Sequence, residues 1–295
     1  MRAEPDQLAA QLRLGVLQFS PRLRDPAHNL ARIREAARQA AADVLVTPEL
    51  SLTGYDVRDD VYTLAQPFTL GANAESVWGE AAAHLSERAV LLGAIERAST
   101  TVPYNCALLI ERGILTQCQR KVYLPTYGMF DEGRYFGHGE SVVPFDINGW
   151  RLGVLICEDF WHPMLAYLHS LQGAHALLVM AAAPGRGVWQ GGEAGAFFAS
   201  TDAWERIARA YAQLYGVYVI ICNRCGVEAG VTFAGESLVV GPDASVIARS
   251  GVDEQLLTVE LSAAALTEAR TPYTHIRDEN ASLAIRELQR ITRAQ

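Results

Sequence analysis

Cys157 closes the apolar run Val154-Leu155-Ile156 and is followed at once by Glu158, Asp159, Phe160 and Trp161. Such a run reads as a strand buried on both faces, and in α/β proteins ligands bind at the carboxyl ends of such strands. A cysteine at that exit has its backbone fixed by the sheet and its sulfur turned to a pocket. It is placed to be a nucleophile once its proton is removed. Cysteine is also among the most buried residue types, so this signal alone is weak. Two further stretches carry an ionisable residue just past an apolar strand. Asp43-Val-Leu-Val-Thr-Pro-Glu49 brings a carboxylate, and Gln117-Cys-Gln-Arg-Lys121 brings an amine. Thiol, carboxylate and amine are what an acyl-transfer centre needs if no histidine is used.

These residues need strands to hold them. Leu12–Phe19, Val44–Val46, Ala89–Ile95, Cys106–Ile110, Ile114–Val122, Phe145–Asp146, Trp150–Ile156, His175–Ala181, Val217–Cys222, Ser237–Val240, Val246–Ser250 and Leu256–Glu260 read as strands. Arg112-Gly113, Asn148-Gly149 and Gly241-Pro242-Asp243 mark hairpin turns. Helical spacing marks Asn29–Ala42, Ala74–Arg88, Met164–Gln172, Phe197–Tyr215 and Asp278–Thr292, the last with Ala284, Leu288 and Ile291 on one face. Leu50–Thr69 reads as loop with a short helix, Pro184–Gly195 as glycine-rich loop, and the stretch after Cys222 as loop through Gly235. Tyr123–Ser141 is a long irregular loop dense in aromatics and glycines, and loops of that length in a compact domain are usually functional. Hairpins interrupt the βαβ rhythm, and no repeat or linker divides the chain. The pattern predicts a mixed sheet, or two sheets between helix layers, in one α/β domain over 1–295.

Composition narrows the classes. Half of the 295 residues are hydrophobic, a fifth are charged and the net charge is −8. The acidic balance and scattered arginines argue against a nucleic-acid partner. No apolar run reaches the ~18 residues that span a bilayer, and the amino-terminal stretch holds no apolar core of a secretory signal. Five cysteines at irregular spacing predict reduced thiols and a cytoplasmic setting.

Three motifs, in order, carry a resemblance: P-E-L-S-L-T-G-Y at Pro48–Tyr55, R-K-V-Y-L-P-T-Y-G-M-F-D-E at Arg120–Glu132, and L-I-C-E-D-F-W at Leu155–Trp161. A weaker fourth is F-A-G-E-S-L-V-V-G-P-D at Phe233–Asp243. With these the chain resembles the nitrilase, or carbon–nitrogen hydrolase, superfamily. The resemblance implies an α-β-β-α sandwich of two mixed sheets between helix layers, and a Glu-Lys-Cys triad carried here by Glu49, Lys121 and Cys157. It also implies a second glutamate, Glu132, that holds Lys121 charged and oriented. On this reading Cys157 attacks an amide or nitrile carbon and forms a thioester, and Glu49 serves as base and then acid. Lys121 lowers the thiol pKa and, with the Glu158 N–H, steadies the oxyanion.

The runs Y-L-P-T-Y-G-M-F-D-E-G-R-Y-F and C-E-D-F-W look most like the glutaminase domain of glutamine-dependent NAD synthetases. That resemblance implies substrate contacts from Tyr127, Phe130 and Glu158. Two departures set the chain apart from those proteins, and the second puts glutamine itself in doubt. No phosphate-binding S-G-G-x-D-S loop follows, and Ala181-Ala182-Ala183 stands where those domains tend to carry serines. Arg186 is of a type to grip a carboxylate bidentately. The expected reaction is therefore hydrolysis of a small linear amide to acid and ammonia, with no metal or cofactor, by a homodimer or higher homo-oligomer packed through one helix layer. Three alternatives stay open: a glutaminase subunit feeding a separate synthetase chain, a nitrilase or carbamoyl hydrolase, and a catalytically silent regulatory subunit.

Other motifs lead nowhere. Cys222-Asn-Arg-Cys225 has no second pair and no nearby histidine. His162 reads as rim or packing. Gly185–Gly192 lacks the third glycine of a dinucleotide fingerprint, and there is no G-x-S-x-G elbow.

Overall fold

Strand-strand pairing defines two six-stranded mixed sheets. The computed structural model describes residues 8–82, 85, 88–98, 102–189 and 197–293. Its strands are β1 (Gln11–Gln18), β2 (Val44–Val46), β3 (Ala89–Arg97), β4 (Pro103–Glu111), β5 (Ile114–Arg120), β6 (Phe145–Ile147), β7 (Trp150–Ile156) and β8 (Ala176–Ala181). There follow β9 (Val188–Trp189), β10 (Phe197–Phe198), β11 (Tyr218–Asn223), β12 (Cys225–Glu228), β13 (Val231–Ala234), β14 (Leu238–Val240), β15 (Val246–Arg249) and β16 (Gln255–Ser262). The first sheet has the order β16-β1-β2-β3-β4-β5 and the second β15-β14-β11-β8-β7-β6. In each, parallel central pairs are flanked by antiparallel edges.

The strands that carry the candidate residues are apolar on both sides, as buried strands in layered folds must be. Leu14, Val16, Val46 and Leu109 of the first sheet face Leu152, Val154, Ile156, Leu178 and Ile220 of the second across one core. The alternate residues of the first sheet, among them Leu45, Val90 and Leu108, pack on Leu30, Ile33 and Ala37 of helix α1 (Pro26–Ala40). On the far side, Leu155, Leu177 and Val219 pack on two further helices. The layers are α-β-β-α.

Helix α1 starts three residues before the expected Asn29. Pro26 fits the first helical position, and the Asp25 side chain accepts from the His28 N–H at 3.0 Å. Between β2 and β3 lie two one-turn helices, α2 (Val61–Leu64) and α3 (Glu75–Trp78). The long helix expected over Ala74–Arg88 is thus corrected to one turn plus a 3-10 turn at Gly79–Ala82; four of its residues (83, 84, 86 and 87) lie outside the described ones. Gly79, at φ +61°, breaks the helical path. Helix α4 (Glu132–Tyr135) is the one regular turn in the loop after β5. The outer layer over the second sheet is α5 (Pro163–Leu171) and α6 (Ala199–Tyr215).

Three more expectations are corrected. The stretch after Cys222 is not loop but the hairpin β12–β13. Val188–Trp189, expected in loop, pairs with Phe197–Phe198, which was expected in helix; the loop residues 190–195 lie outside the described ones. Helix α7 (Ala263–Arg270) was not anticipated, whereas α8 (Ala281–Arg293) matches the expected closing helix with every residue off the core. Among the described residues no helix is long and apolar enough to cross a membrane.

Candidate active site

Three strand ends converge. Glu49 follows β2, Lys121 follows β5 and Cys157 follows β7, and all three side chains are buried. The turn that carries Glu49 lies against the backbone of β3. A β-carbon built on Gly93 falls 2.4 Å from the Pro48 carbonyl oxygen and 2.5 Å from the Leu50 nitrogen. Only glycine lets the turn come so close. Ser51 locks it, accepting from the Gly93 N–H at 3.1 Å and hydrogen-bonding Thr47 Oγ1 at 2.8 Å.

Lys121 is the only lysine in the chain. Its Nζ donates to Glu49 Oε1 at 2.7 Å and to Glu132 Oε1 at 2.8 Å, with no solvent contact. Burial alone would push this ammonium toward the neutral form, but Glu132 and Glu49 hold its pKa well above the ordinary lysine value. Asn105 Nδ2 donates to the same Glu49 oxygen at 2.8 Å, which leaves Glu49 Oε2 buried with no hydrogen-bond partner. Tyr55 Oη donates to Glu132 Oε1 at 2.5 Å. Burial raises Glu132 to about 7 against the pull of Lys121.

Cys157 opens a 3-10 turn, Cys157–Trp161, with φ at +48°, a strained conformation for a residue with a side chain. Asp159 fixes that turn. Its carboxylate accepts from the N–H groups of Val122 and Tyr123 at 3.0 and 2.8 Å and of Ile156 at 3.2 Å, tying the exit of β5 to that of β7. Burial and the Glu49 charge push the Cys157 thiol well above the ordinary cysteine value, and Lys121 pulls only partly the other way. Lys121 thus acts on the thiol in the expected direction, lowering its pKa, but burial and the Glu49 charge outweigh it.

Above the sulfur lies a cavity of about 110 Å³ lined by Tyr127, Phe130, Glu158, Trp161, Trp204 and Arg186. This is well below the ~300 Å³ at which drug-sized ligand pockets begin, so it admits a small molecule. Tyr127, half-exposed, donates to Glu158 Oε2 at 2.7 Å. Tyr55, Phe130 and Tyr127 form a chain of edge-to-face rings. Arg186 is exposed at the rim, its guanidinium beside Gly128, and the three alanines of 181–183 are buried. His162 stacks on Tyr123 with ring centroids 3.4 Å apart. A larger cleft of about 420 Å³ lies elsewhere, lined by Leu214, Tyr215 and Arg270. There Arg270 is engaged by the carbonyls of Gly216 and Ala174.

The structure thus brings together Glu49, Lys121, Glu132 and Cys157, and sets Tyr127, Phe130, Glu158 and Arg186 around one cavity. Sequence reasoning missed Asn105, Tyr55, Asp159 and the Arg224–Glu228 pair. Glu228 accepts from the N–H groups of Tyr55 and Asp56, both at 2.8 Å, and Arg224 backs it at 2.9 Å. Tyr55 and Asp159 lie inside the quoted motifs, but nothing in residue type marked their roles. The solitary lysine was a signal available in the sequence.

A family model described as carbon-nitrogen hydrolase matches residues 13–271. A glutamine-dependent NAD(+) synthetase of Thermotoga maritima is 32% identical over 262 residues, 85% of this chain and 42% of that protein. A protein of Pseudomonas protegens named hydrolase in pqqF 5' region is 31% identical over 279 residues, 92% of this chain and 90% of that one. The chain therefore spans less than half of the synthetase but nearly all of the second relative. Among solved structures, an amidase from Nesterenkonia sp. AN1, as a double mutant in complex with acrylamide, superposes with TM-score 0.74 at 26% identity, covering 94% of this chain and 97% of that one.

Proposed function

Since the chain belongs to the carbon–nitrogen hydrolase family, and is thus a hydrolase acting on carbon–nitrogen bonds, we propose that it cleaves a small linear amide to carboxylic acid and ammonia through a thioester on Cys157. The observation that carries this reading is the sole lysine, held charged between two buried carboxylates beside a buried thiol.

Glu49 Oε2 takes the thiol proton as sulfur attacks the amide carbon. An ammonium has three donors, and two of those on Lys121 are engaged by Glu49 and Glu132. The third, with the Glu158 N–H, stabilises the oxyanion. As the tetrahedral intermediate collapses, the C–N bond breaks and Glu49 returns the proton to the leaving nitrogen, which departs as ammonia. Water then attacks the thioester, Glu49 takes its proton, and the acid leaves with the thiol restored. Glu132 keeps Lys121 charged and in place throughout.

Tyr127, Phe130 and Glu158 contact the acyl group, and Arg186 grips a carboxylate on it. The Nesterenkonia amidase, solved with acrylamide, supports an amide substrate. The Thermotoga relative supports a second reading, in which the chain is a glutaminase delivering ammonia to a separate synthetase. The protein works as a homodimer, a reading supported by exposed Met164, Leu171 and Leu214 on α5 and α6; light scattering that finds a monomer at assay concentration removes it.

Ammonia release from uncharged amides, amides bearing a carboxylate, glutamine, nitriles and carbamoyl compounds tests the substrate class. The reading predicts that amides lead. It predicts further that Arg186→Ala raises KM about tenfold for carboxylate-bearing amides and leaves uncharged ones nearly unchanged. Nitriles or carbamoyl compounds at the head of the panel refute the amide assignment. Glutamine at the head, with stimulation by a synthetase, favours the second reading.

A further inference from the structure

On the opposite face of the first sheet from the triad, a second cluster of nucleophilic side chains takes no part in this chemistry. Ala94 of β3 pairs with Cys106 of β4, Cys106 pairs with Arg120 of β5, and Leu108 pairs with Cys118. Cys106 and Cys118 are therefore diagonal neighbours on one face. Glu96, two residues beyond Ala94, points the same way. The two Sγ atoms and a Glu96 carboxylate oxygen all lie within 4.8 Å of one another. Cys118 Sγ is 3.7 Å from Glu96 Oε2. Cys106 and Glu96 are buried and Cys118 is half-buried.

We propose that Glu96, Cys106 and Cys118 form a binding site for a thiophilic divalent cation of the Zn²⁺ type, with a solvent molecule as fourth ligand on the open side of Cys118. Tetrahedral zinc with bonds of about 2.3 Å to sulfur and 2.0–2.2 Å to oxygen sets its donors about 3.6–3.8 Å apart. The Cys118–Glu96 edge has that length already, and side-chain rotation closes the rest. Two thiolates and a soft-metal preference go together. Arg120 supplies the outer support such sites use: its Nε and Nη2 donate to the two Glu96 oxygens at 2.7 and 2.9 Å, and its guanidinium stacks on Tyr104 at 4.1 Å. The charges close. Zn²⁺, two thiolates, one carboxylate and one guanidinium sum to zero.

Binding releases two thiol protons to solvent and transfers no electrons. Burial keeps the Cys106 thiol well above the ordinary cysteine value, so affinity rises with pH. The site also bears on the triad. Cys106 follows Asn105, the Glu49 partner, and Arg120 precedes Lys121, whose N–H donates to the Asn105 carbonyl at 2.8 Å. Successive strand residues point to opposite faces, so the metal braces from behind the strand that carries Asn105 and the one that leads into Lys121.

Titration of the full-length reduced protein with Co²⁺, followed by competition with Zn²⁺, tests the site. The expected result is one Co²⁺ per chain with a thiolate-to-cobalt charge-transfer band that Zn²⁺ displaces. The band survives Cys157→Ala, disappears in Cys118→Ser and in Cys106→Ser, and needs about 10–100-fold more metal in Glu96→Gln. Cys118 is half-buried, so Cys118→Ser folds even if Cys106→Ser does not. No band, a band that persists in Cys118→Ser, or a band lost with Cys157→Ala overturns the site. So does a Cys106–Cys118 disulfide that forms in air while the reduced protein takes up no metal.

Discussion

The polar chain Tyr55–Glu132–Lys121–Glu49–Asn105 leaves two buried carboxylate oxygens, Glu49 Oε2 and Glu132 Oε2, without a hydrogen-bond partner. Glu132 is the titrating member within the neutral range. Below its value of about 7 it takes up a proton, loses its hold on the Lys121 ammonium, and activity falls. Tyr55 donates to the charged form of Glu132 and so holds its pKa down. Tyr55→Phe therefore shifts the acid limb of the kcat profile upward by about one to two pH units, since a hydrogen bond to a charge is worth about 1.5–3 kcal/mol. A uniform drop in kcat with an unmoved limb contradicts this and makes Tyr55 a packing residue. At this scale residue type and strand-end position already pointed to Cys157, Glu49 and Lys121. They did not point to Asn105, because a strand read as beginning at Cys106 leaves Asn105 in an unmarked approach. The upward push of burial on the Cys157 thiol was likewise hidden, since no spacing reveals burial.

Elements set how closely these groups approach. The Glu49 turn rests on β3 only because Gly93 lacks a side chain. A methyl there meets backbone atoms of Pro48, Leu50 and Ser51, which cannot yield as a side chain can. Gly93→Ala is expected to cost about 2–3 kcal/mol in urea unfolding. It also lowers kcat at least tenfold in the protein that remains folded, because Glu49 moves off its partner. Stability and kcat both within error of wild type refute the close-approach argument. The β-strands were the legible elements, since apolar runs bounded by turn residues have few other readings. The helix expected over Ala74–Arg88 failed because a helical stripe of alanines does not outweigh Gly79 in an open conformation. The hairpin β12–β13 was missed because Cys225–Ala234 shows no clean alternation. Its Glu228 caps the Tyr55 turn from 173 residues away.

For the molecule as a whole, the sandwich buries polar groups as well as apolar ones, and these set its response to acid. His169 of α5 is fully buried against β7, with Nε2 3.1 Å from the Val154 carbonyl. Burial lowers its pKa from 6.5 to about 4. The unfolded chain takes up this proton first, so the stability His169 contributes is present above pH 6.5 and is lost as pH falls toward 4. Over that window the loss amounts to about 3 kcal/mol. The stability difference between wild type and His169→Gln, from urea midpoints at pH 7.5 and 4.5, is expected to shift against wild type by about that amount. A pH-independent difference shows that His169 titrates normally. Two layers of sheet were legible as one of two outcomes, because alternating hairpins and crossovers exclude a simple parallel sheet. Which strand joins which sheet was not legible: β16 pairs with β1 across nearly the whole chain, and pattern is blind to such distance.

The thioester on Cys157 is most directly tested by intact-mass measurement of the protein, acid-quenched during turnover of an amide from the panel. The account predicts one acyl group per chain, added with loss of ammonia and mapped to the peptide bearing Cys157. Both the adduct and the ammonia release vanish in Cys157→Ala. Sustained ammonia release by Cys157→Ala, or turnover by wild type with the acyl group on another residue, contradicts it.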